Sequence, residues 1–329
     1  MPGSKQQSPL RVVVTGASSG IGQATAELFA RRGDRVVVAA RNLDGLEKVA
    51  ARCRAGGGEA VAVAADVTDV EAVRGLADRA VAAFGGIDVW VSNVGVGAIG
   101  RYADTPMQTH DRVIRSNLIG HMNDAHAVMP IFLRQGHGIF VNVISLGGFV
   151  AAPYAAAYSA SKFGLRGFAE SLRAELVGHP HIHVCDIYPG FVDTPGLRHG
   201  ANYVGRRITS PPPVLDPWRV AAAIRRRADN PAPTTVVGVS AVLARVMHAV
   251  SPALTARVME RLLITYFDRA ERVPVSDGNV FEPSPDTAIV EGNLRSPRKR
   301  IASGAVATCS AAALGYLLSK RRHARFGNR

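Results

Sequence analysis

Short apolar runs recur along the first 240 residues and alternate with stretches whose apolar residues follow helical spacing. Strands that are buried on both faces give such continuous apolar runs, and helix-covered parallel sheets contain strands of this kind. The pattern therefore predicts an α/β fold with a doubly wound parallel sheet, because right-handed crossovers place helices on both faces. The predicted strands are residues 12–14, 35–40, 60–64, 87–91, 138–144, 183–188 and 235–239.

The first apolar run leads directly into a glycine-rich turn and a helical stretch. Residues 15–22 read Thr-Gly-Ala-Ser-Ser-Gly-Ile-Gly, which is the context of a dinucleotide-binding turn in a Rossmann-type fold. Gly16 permits the tight turn, Gly20 lets the backbone approach a pyrophosphate, and Gly22 lets the helix lie close to the strand. The helix N-terminus offers amides and a positive dipole end to the phosphates. The alternative is an ordinary glycine-rich loop.

Polar and glycine residues follow several of the predicted strands. In doubly wound sheets, ligands bind at the carboxyl ends of the strands. Residues from distant parts of the sequence are therefore expected to converge at one edge of the sheet. They are Gly16, Asp66, Asn93, Ser145, Pro189 and Gly190.

Tyr158 and Lys162 are four residues apart in a stretch with helical spacing, so their side chains leave the same helix face. A nearby ammonium group favours the phenolate and is expected to lower the pKa of the tyrosine from its usual value of about 10. Such a tyrosine can give or take a proton near neutral pH. The pair alone recurs by chance in many proteins, and its weight comes from the other motifs.

Taken together, the motifs resemble those of the short-chain dehydrogenase/reductase family over roughly residues 10–240. Ser145 precedes Tyr158 by thirteen residues, the interval usual in that family. The family often has Asn-Asn-Ala-Gly after its fourth strand, where residues 92–95 of this chain read Ser-Asn-Val-Gly. This departure is expected to alter packing near the adenine and removes no catalytic group. The other matching segments are residues 15–22, 66–67, 158–162 and 189–194, together with Asn117.

The resemblance implies an oxidoreductase that acts on CH–OH groups and interconverts a carbonyl and a secondary alcohol by hydride transfer. Tyr158 would be the general acid in reduction and the base in oxidation. Lys162 would lower the pKa of the tyrosine and hold the nicotinamide ribose. Ser145 would hydrogen-bond the reacting oxygen, and Asn117 would position a water that links Lys162 to solvent. Ser145 could instead be an ordinary loop serine, and Asn117 a polar residue inside a helix.

The same resemblance implies a larger cofactor site, in which Asp66 contacts the adenine ring and Thr194 holds the nicotinamide carboxamide. Asp66 has an alternative role as a helix cap, because residues 68–71 read Thr-Asp-Val-Glu. The full predicted set is Thr15, Gly16, Ser18, Ser19, Gly20, Ile21, Gly22, Arg41, Asn42, Asp66, Val67, Asn93, Gly95, Tyr158, Lys162, Pro189, Gly190, Val192 and Thr194.

The end of the second predicted strand indicates which nicotinamide cofactor binds. NAD-specific proteins place an acid there for the ribose hydroxyls, whereas this chain has Ala40 followed by Arg41. A guanidinium pairs well with a 2′-phosphate, and Asn42 could add a hydrogen bond. NADP(H) is therefore favoured over NAD(H); the alternative is that Arg41 is a solvated charge.

Positive charge is concentrated at the carboxyl end of the chain. The net charge is +13, and from residue 291 onward nine Lys and Arg residues face one acid. Residues 301–319 are uncharged between basic clusters, which is about the length that crosses a bilayer core, ~20 residues. A membrane anchor, a helix packed on the protein or a partner, and a loose tail all fit. Nucleic-acid binding is poorly supported, because Tyr316 and Phe326 are the only aromatic residues there for stacking on bases.

The cysteines Cys53, Cys185 and Cys309 are far apart and lack metal-ligand spacing, so no metal site is expected. They suit a reducing compartment, and the predicted location is cytoplasmic, with or without membrane association through the tail. Residues 194–217, rich in Gly and Pro, look like a mobile lid. The predicted organisation is a flexible N-terminus (1–9), a catalytic domain (10–240), an apolar helical extension near the substrate site (241–270), an irregular linker with a basic end (271–300), a transmembrane or tail helix (301–319) and a basic tail (320–329).

The leading hypothesis is an NADP(H)-dependent oxidoreductase. Residues 240–267 are strongly apolar and indicate an apolar substrate, although such a stretch also fits the protein core or a subunit contact. The alternative is a catalytically inactive dinucleotide-binding sensor or scaffold, although no catalytic residue of the family pattern is missing. Similar proteins form homodimers through helices that correspond to those with Asn117 and residues 158–176. A homodimer is therefore expected, but the apolar faces of these helices also fit a plain core.

Overall fold

The computed structural model describes residues 8–211, 213–284 and 287–295, and its strands follow the predicted apolar runs. The strands are β1 (Arg11–Thr15), β2 (Arg35–Ala40), β3 (Glu59–Ala64), β4 (Val89–Ser92), β5 (Ala98–Ile99), β6 (Gly138–Val143), β7 (Ile182–Pro189), β8 (Ala201–Asn202) and β9 (Thr234–Val237). The short strands β5 and β8 were not predicted, because two residues are too few to form an apolar run.

One sheet contains seven of these strands in the order β3-β2-β1-β4-β6-β7-β9. Every neighbouring pair is parallel. The strand order reverses between β1 and β4, so the switch point that forms a binding crevice lies at the carboxyl ends of these two strands. The prediction of a doubly wound α/β sheet is confirmed.

Ten α-helices connect and flank the strands in the described part of the chain. Between α4 and α5 the helix continues through a π turn, Arg115–Ile119. The helices are α1 (Gly20–Ala30), α2 (Leu43–Ala55), α3 (Val70–Phe84), α4 (Met107–Ile114), α5 (Gly120–Gln135), α6 (Ala156–Glu175), α7 (Gly196–His199), α8 (Pro217–Asp229), α9 (Val239–Val250) and α10 (Pro252–Arg269).

The core lies on both faces of the sheet, because alternate residues of each strand point to opposite sides. Val12 and Val14 of β1 belong to the core that includes Phe29 of α1. Val13, between them, belongs to the core on the other face, which includes Phe132 of α5. This two-sided burial explains why the central strands are continuous apolar runs.

The segment predicted as an apolar helical extension forms α9 and α10, which meet at Ser251. Large apolar side chains are exposed along both helices, with Val239 81% and Leu262 65% exposed. Among the described residues, no helix combines the length and the apolar character needed to cross a bilayer. The other exposed apolar residues of this pair are Val242, Val246, Met247, Val250, Leu254, Val258 and Ile264.

The predicted linker and lid both lie against the catalytic domain. Residues 271–284 and 287–295 are irregular, but they fold back along the carboxyl edge of the sheet. In the predicted lid, β8 pairs with β5, and Asn202 also bridges to Ser276. The predictions for residues 1–7, for the basic end of the linker (296–300), for the helix at 301–319 and for the basic tail fall outside the described residues.

Candidate active site

The glycine-rich loop between β1 and α1 requires its glycines for conformation and for close contact. Gly16 and Gly20 have φ angles of +66° and +55°, in the left-handed region that glycine adopts readily. A Cβ on Gly22 would lie 2.1 Å from the carbonyl oxygen of Gly16 and 2.7 Å from Nδ2 of Asn93. The start of α1 therefore lies directly against the loop. The other predicted residues of this loop, which are partly buried, are Ser18, Ser19 and Ile21.

Thr15 serves a buried network beneath the loop. Its hydroxyl donates to Oδ2 of Asp124 at 2.8 Å, and Ser92 donates to the same oxygen at 2.6 Å. Burial raises the pKa of Asp124 to about 7 although these hydrogen bonds lower it. The side chain of Thr15 is fully buried, and its hydroxyl is used in this network. The role of Asp124 was not predicted from the sequence, where the only sign of it is an acidic residue on the face of α5 that becomes buried.

Helix α6 carries Tyr158 and Lys162 on one face, as the spacing predicted. The ammonium of Lys162 lies 5.8 Å from the centre of the Tyr158 ring. Its Nζ also lies 3.5 Å from the carbonyl oxygen of Val143, and the residue is only 3% exposed. Gly95 is exposed beside it, and a Cβ on Gly95 would lie 3.8 Å from Nζ. The lysine is thus buried at the edge of an open groove.

Ser145 follows β6 with an unusual backbone conformation. Its φ is 129°, a region that side-chain-bearing residues rarely occupy and that tends to occur at functional sites. Its Oγ accepts a hydrogen bond from the N–H of Gly147 at 3.1 Å, and the hydroxyl is close enough to Tyr158 to lower the pKa of that phenol. A Cβ on Gly147 would lie 3.0 Å from the Tyr158 ring. Gly147 therefore allows the serine loop and the tyrosine to approach each other.

Asn117 lies in the π turn between α4 and α5 and is fully buried. Its Oδ1 accepts from the N–H of Val96 at 2.8 Å, and its Nδ2 donates to the carbonyl of Val96 at 2.9 Å. Nδ2 also lies 3.2 Å from Oγ of Ser161 on α6. The side chain therefore ties the loop after β4 to the helix of Tyr158. A π turn in the middle of a helix often marks a functional site.

The pKa of Tyr158 is shifted in the direction opposite to the prediction. Burial raises it, and the hydrogen bond with Ser145 lowers it by less. Lys162 is itself buried, which lowers its pKa to about 7. The predicted lowering of the Tyr158 pKa by Lys162 is therefore not found in this structure: desolvation of the phenol sets the direction, and Lys162 is not among the groups that shift it.

A buried histidine that the sequence did not single out lies close to Lys162. Nδ1 of His121 is 2.7 Å from Oδ1 of Asn142, and its Nε2 is 2.7 Å from the carbonyl oxygen of Val94. Burial, and then the charge of Lys162, lowers the pKa of His121 to about 4. The neutral ring thus joins the loop after β4 to β6. A lone histidine in a helix gives no sequence signal for such a role.

Arg41 lies at the end of β2, where the sequence placed it, but its guanidinium contacts a later part of the chain. Nη1 donates to the carbonyl oxygen of Phe281 at 2.9 Å. Nη2 donates to the carbonyl oxygens of Asn279 at 2.9 Å and Glu282 at 3.4 Å. Arg41 is therefore not the solvated charge of the alternative interpretation.

Asp66 makes an ion pair that the sequence did not reveal. Its carboxylate accepts from the N–H and the hydroxyl of Thr68 at 2.9 and 2.8 Å, and from Nη2 of Arg112 at 2.7 Å. Burial alone would raise the pKa of Asp66, but these hydrogen bonds and the Arg112 charge lower it overall. The cap of α3 is Asp69, so the alternative role of Asp66 as a helix cap is wrong.

Two other predicted cofactor residues support the local backbone. Oδ1 of Asn42 accepts from the N–H of Gly45 at 3.0 Å and so caps α2. The side chain of Val67 is buried, and its carbonyl oxygen accepts from Nδ2 of Asn123 at 2.8 Å. The side chain of Asn42 thus hydrogen-bonds a backbone N–H in the first turn of α2 and does not extend freely beside Arg41.

The segment after β7 approaches the glycine-rich loop. Pro189 ends β7, and Gly190 and Val192 follow as partly buried residues. A Cβ on Gly20 would lie 3.1 Å from Cβ and Cγ2 of Thr194. The structure therefore brings most of the predicted residues to one groove along the carboxyl edge of the sheet.

The cysteines of the described residues are not part of this groove chemistry. Cys53 and Cys185 are buried and form no disulfide. Burial raises the pKa of the Cys53 thiol to about 12 and that of Cys185 to about 11, so neither is an activated nucleophile. Among residues 8–211, 213–284 and 287–295, no group of His, Cys, Asp or Glu side chains is arranged to hold a metal ion.

Comparison with known proteins identifies the family to which this fold and groove belong. The model of the short chain dehydrogenase family matches residues 11–201. The uncharacterized oxidoreductase YxnA of Bacillus subtilis (strain 168) is 33% identical over 264 residues, which cover 79% of this chain and 74% of YxnA. The chain belongs to the short-chain dehydrogenase/reductase family of oxidoreductases.

Two solved structures share the fold. An alcohol dehydrogenase from the archaeon Thermococcus sibiricus, complexed with 5-hydroxy-NADP, has a TM-score of 0.60 and 27% identity over 69% of this chain and 94% of that chain. A short chain dehydrogenase/reductase from Burkholderia phymatum, in complex with NAD, has a TM-score of 0.68 and 24% identity over 77% of this chain and 97% of that chain. The second likeness concerns the fold alone.

Proposed function

We propose that the protein is an NADP(H)-dependent oxidoreductase that interconverts a carbonyl and a secondary alcohol, with Tyr158 as the general acid and base. The observation that carries this proposal is the arrangement of Ser145, Tyr158 and Lys162 beside a groove that begins at the glycine-rich loop. Membership of an oxidoreductase family supports it, as does the 5-hydroxy-NADP complex of the Thermococcus sibiricus relative.

Several residues along the groove would hold a nicotinamide dinucleotide. Because Gly22 leaves no room for a Cβ, the N-terminus of α1 lies close to the loop and presents its positive dipole end to a pyrophosphate. Gly95 leaves open space beside Nζ of Lys162, where a ribose hydroxyl would be held. Thr194 would hold the carboxamide and Asp66 would contact the adenine. The bound nicotinamide would supply or accept the hydride.

The side chains of this chain would handle the proton. The raised pKa of Tyr158 keeps the phenol protonated at neutral pH, so it can donate to a carbonyl oxygen during reduction. Ser145, which lies beside Tyr158, would donate to the same oxygen and stabilise the charge that develops there. Lys162, with a pKa of about 7, can exchange a proton at neutral pH. Asn117 would position the water that links Lys162 to solvent.

The proposed preference for NADP(H) rests on Arg41. Replacing it by alanine is expected to raise the Kd for NADPH by roughly tenfold to a hundredfold, because a hydrogen-bonded charge pair contributes about 1.5–3 kcal/mol. The Kd for NADH should stay nearly unchanged, since that nucleotide has no 2′-phosphate. Fluorescence titration of each nucleotide measures both constants.

A matched control is Arg35→Ala, which removes an exposed arginine from the other end of β2, where it pairs with Glu59. This variant should bind both nucleotides as the wild type does. The preference for NADP(H) is contradicted if wild-type protein binds NADH more tightly, or if Arg41→Ala leaves NADPH binding intact.

We propose an apolar substrate, because apolar side chains form most of the wall of a pocket at the N-terminal end of α6, which also has Arg101, Arg257 and Glu260 at its wall. Its volume is about 370 Å³, and it extends to residues of α10. The exposed apolar side chains of α9 and α10 continue this character outward. The apolar part of the pocket wall is formed by Tyr102, Pro153, Tyr154, Ala156 and Ala256.

A series of methyl ketones of increasing alkyl length tests the substrate class. With NADPH as reductant, kcat/KM should rise by roughly fourfold for each added CH₂ until the pocket is filled, since burial of one CH₂ contributes about 0.8 kcal/mol. Tyr154→Ala should flatten this dependence, because it removes an aromatic wall of the pocket. The proposal fails if small polar ketones are the best substrates.

Two further expectations from the sequence stay predictions. The inactive sensor or scaffold would be favoured by the loss of a catalytic residue, but Asn117, Ser145, Tyr158 and Lys162 are all present. The homodimer through the helices that carry these residues is not tested by a single chain.

A further inference from the structure

A segment near the end of the described chain lies along the proposed cofactor groove. This segment, residues 276–284 and 287–295, is here called the strap. Its backbone carbonyls at Asn279, Phe281 and Glu282 accept three hydrogen bonds from the guanidinium of Arg41, at 2.9, 2.9 and 3.4 Å. Both terminal nitrogens of Arg41 are engaged in this way, and these are the donors that a 2′-phosphate would use.

The second half of the strap contacts the glycine-rich loop. The N–H of Gly20, at the start of α1, donates to the carbonyl oxygen of Ile289 at 2.9 Å. The N–H of Ala288 donates to the carbonyl oxygen of Ser18 at 2.8 Å. The pyrophosphate of any dinucleotide would approach this contact at the start of α1. Only a nucleotide with a 2′-phosphate would also need the N–H donors of Arg41.

The carboxyl end of the strap is fixed by a buried acid. Asp193 is only 1% exposed and accepts from the N–H groups of Gly292 at 3.0 Å and Leu294 at 2.8 Å. Arg295 pairs with Asp193 at 3.0 Å and with Asp216 at 2.8 Å. The strap is therefore held by charge-assisted hydrogen bonds and not only by backbone contacts.

The amino end of the strap is fixed by packing. Val280 is fully buried in a cluster with Val96 and Val113, against which Tyr158 packs. Gly278 has a φ of +53°, and a Cβ there would lie 2.2 Å from the carbonyl oxygen of His199. A side chain at position 278 would therefore clash with the backbone of His199 and Gly200 and loosen the strap.

We propose that the strap is a cofactor-selectivity element: its carbonyls occupy Arg41 in place of a 2′-phosphate, so that NADPH must displace residues 279–282 and NADH need not. The idea rests on the proposed function. A phosphate offers charged acceptors, which bind a guanidinium more strongly than neutral carbonyls do. The apparent affinity for NADPH is nevertheless reduced by the fraction of molecules in which the strap is docked. The strap thus makes the preference for NADPH over NADH smaller than Arg41 alone would make it.

Hydrogen–deuterium exchange on the full-length protein tests displacement directly. Saturating NADPH should speed exchange of amides in residues 276–284, whereas saturating NADH should leave that exchange unchanged. Slower exchange of residues 276–284 with NADPH would mean that the strap closes over the cofactor, which overturns the proposal. Equal acceleration by both nucleotides would also overturn it, because Arg41 would then not be the point of competition.

Affinity measurements with Gly278→Ala give an independent readout. Loosening the strap should lower the Kd for NADPH on the order of tenfold, as expected if the strap is docked in about nine molecules of ten, and should change the Kd for NADH by less than about twofold. The matched control is Gly33→Ala, which also replaces a glycine of positive φ, +81°, but meets nothing within 4 Å. Weaker NADPH binding by Gly278→Ala, or equal tightening of both nucleotides, contradicts the proposal.

A second variant covers the case in which Gly278→Ala does not fold. Arg295→Ala removes the ion pairs to Asp193 and Asp216. Because every dinucleotide meets the half of the strap that these pairs hold, this variant should tighten the binding of both nucleotides, and of NADPH more than of NADH. Arg74→Ala, which breaks an exposed pair with Glu71, is its control. If wild type and both strap variants bind neither nucleotide, the proposed function fails together with the strap. If wild-type protein binds NADPH but neither strap variant binds NADPH more tightly relative to NADH, only the strap proposal fails.

Discussion

Replacing Tyr158 by phenylalanine is expected to lower kcat/KM for carbonyl reduction by a factor on the order of 10²–10⁴, because the general acid is lost. The ring of Tyr158 and its packing against the apolar cluster that includes Val280 and Val96 are kept. Binding of NADPH should therefore stay within a few-fold of wild type. Steady-state rates with the best ketone, together with fluorescence titration of NADPH, separate the two effects.

The matched control for this change is Tyr266→Phe, which removes a hydroxyl that donates to the carbonyl of Arg207 on the exposed side of α10. This variant should keep nearly full activity. A Tyr158→Phe protein that retains more than about a tenth of wild-type kcat/KM would show that another group donates the proton. Ser145 would then be the next candidate, since its hydroxyl lies beside the same tyrosine.

Replacing Lys162 by methionine is expected to abolish most activity and, at the same time, to stabilise the fold. The lysine is 3% exposed, and its pKa is lowered to about 7 because burial disfavours the charged form. An apolar side chain of similar length avoids that cost, so the free energy of unfolding at pH 7 should rise on the order of 1–3 kcal/mol. Urea denaturation measures the gain, and ketone reduction measures the loss.

The stability gain should depend on pH in a defined direction. In the unfolded chain the lysine stays protonated up to its ordinary pKa of about 10.4, whereas in the folded chain it loses its proton above about pH 7. The unfolded state therefore binds more protons in this window, so wild-type stability rises with pH relative to the variant. Between pH 7 and 9 the advantage of Lys162→Met should shrink by up to about 1.4 kcal/mol per pH unit, and below pH 7 it should be constant.

Lys48→Met, at an exposed position of α2, is the control and should show neither the gain nor the pH dependence. A constant difference between Lys162→Met and wild type from pH 7 to 9 would mean that Lys162 keeps its proton in the folded state. In that case it would act on Tyr158 as a fixed positive charge, as the sequence spacing had suggested.

The sheet and the positions of the site residues were predictable, because their signals are local. An apolar run such as residues 35–40 is buried on both faces, and it coincides with β2. The spacing of Tyr158 and Lys162 fixes their shared helix face whatever surrounds them. Gly22 was predicted to allow close packing of α1, and a Cβ there would indeed lie 2.1 Å from Gly16.

The electrostatics and the strap were not predictable, because they depend on the tertiary environment. Burial sets the direction of the pKa shift of Tyr158, and the spacing of Tyr158 and Lys162 in the sequence does not indicate how buried they are. The strap holds Arg41 through backbone carbonyls, which every residue possesses, so no pattern of side chains in the sequence predicts this contact. The available signals were glycines in an irregular segment, Gly278 and Gly292, which lie too close to neighbouring backbone to carry a side chain.

The hydrogen bond between Gly20 and Ile289 joins the start of the first helix to a residue near the end of the described chain. Contacts between residues so distant in sequence close the largest loops, and their entropy cost places them late in folding. Chains are made from the N-terminus, so the strands that build the groove are complete before the strap is available. A newly synthesised molecule is therefore expected to meet nucleotide in an open groove, and docking of the strap becomes a late step of its maturation.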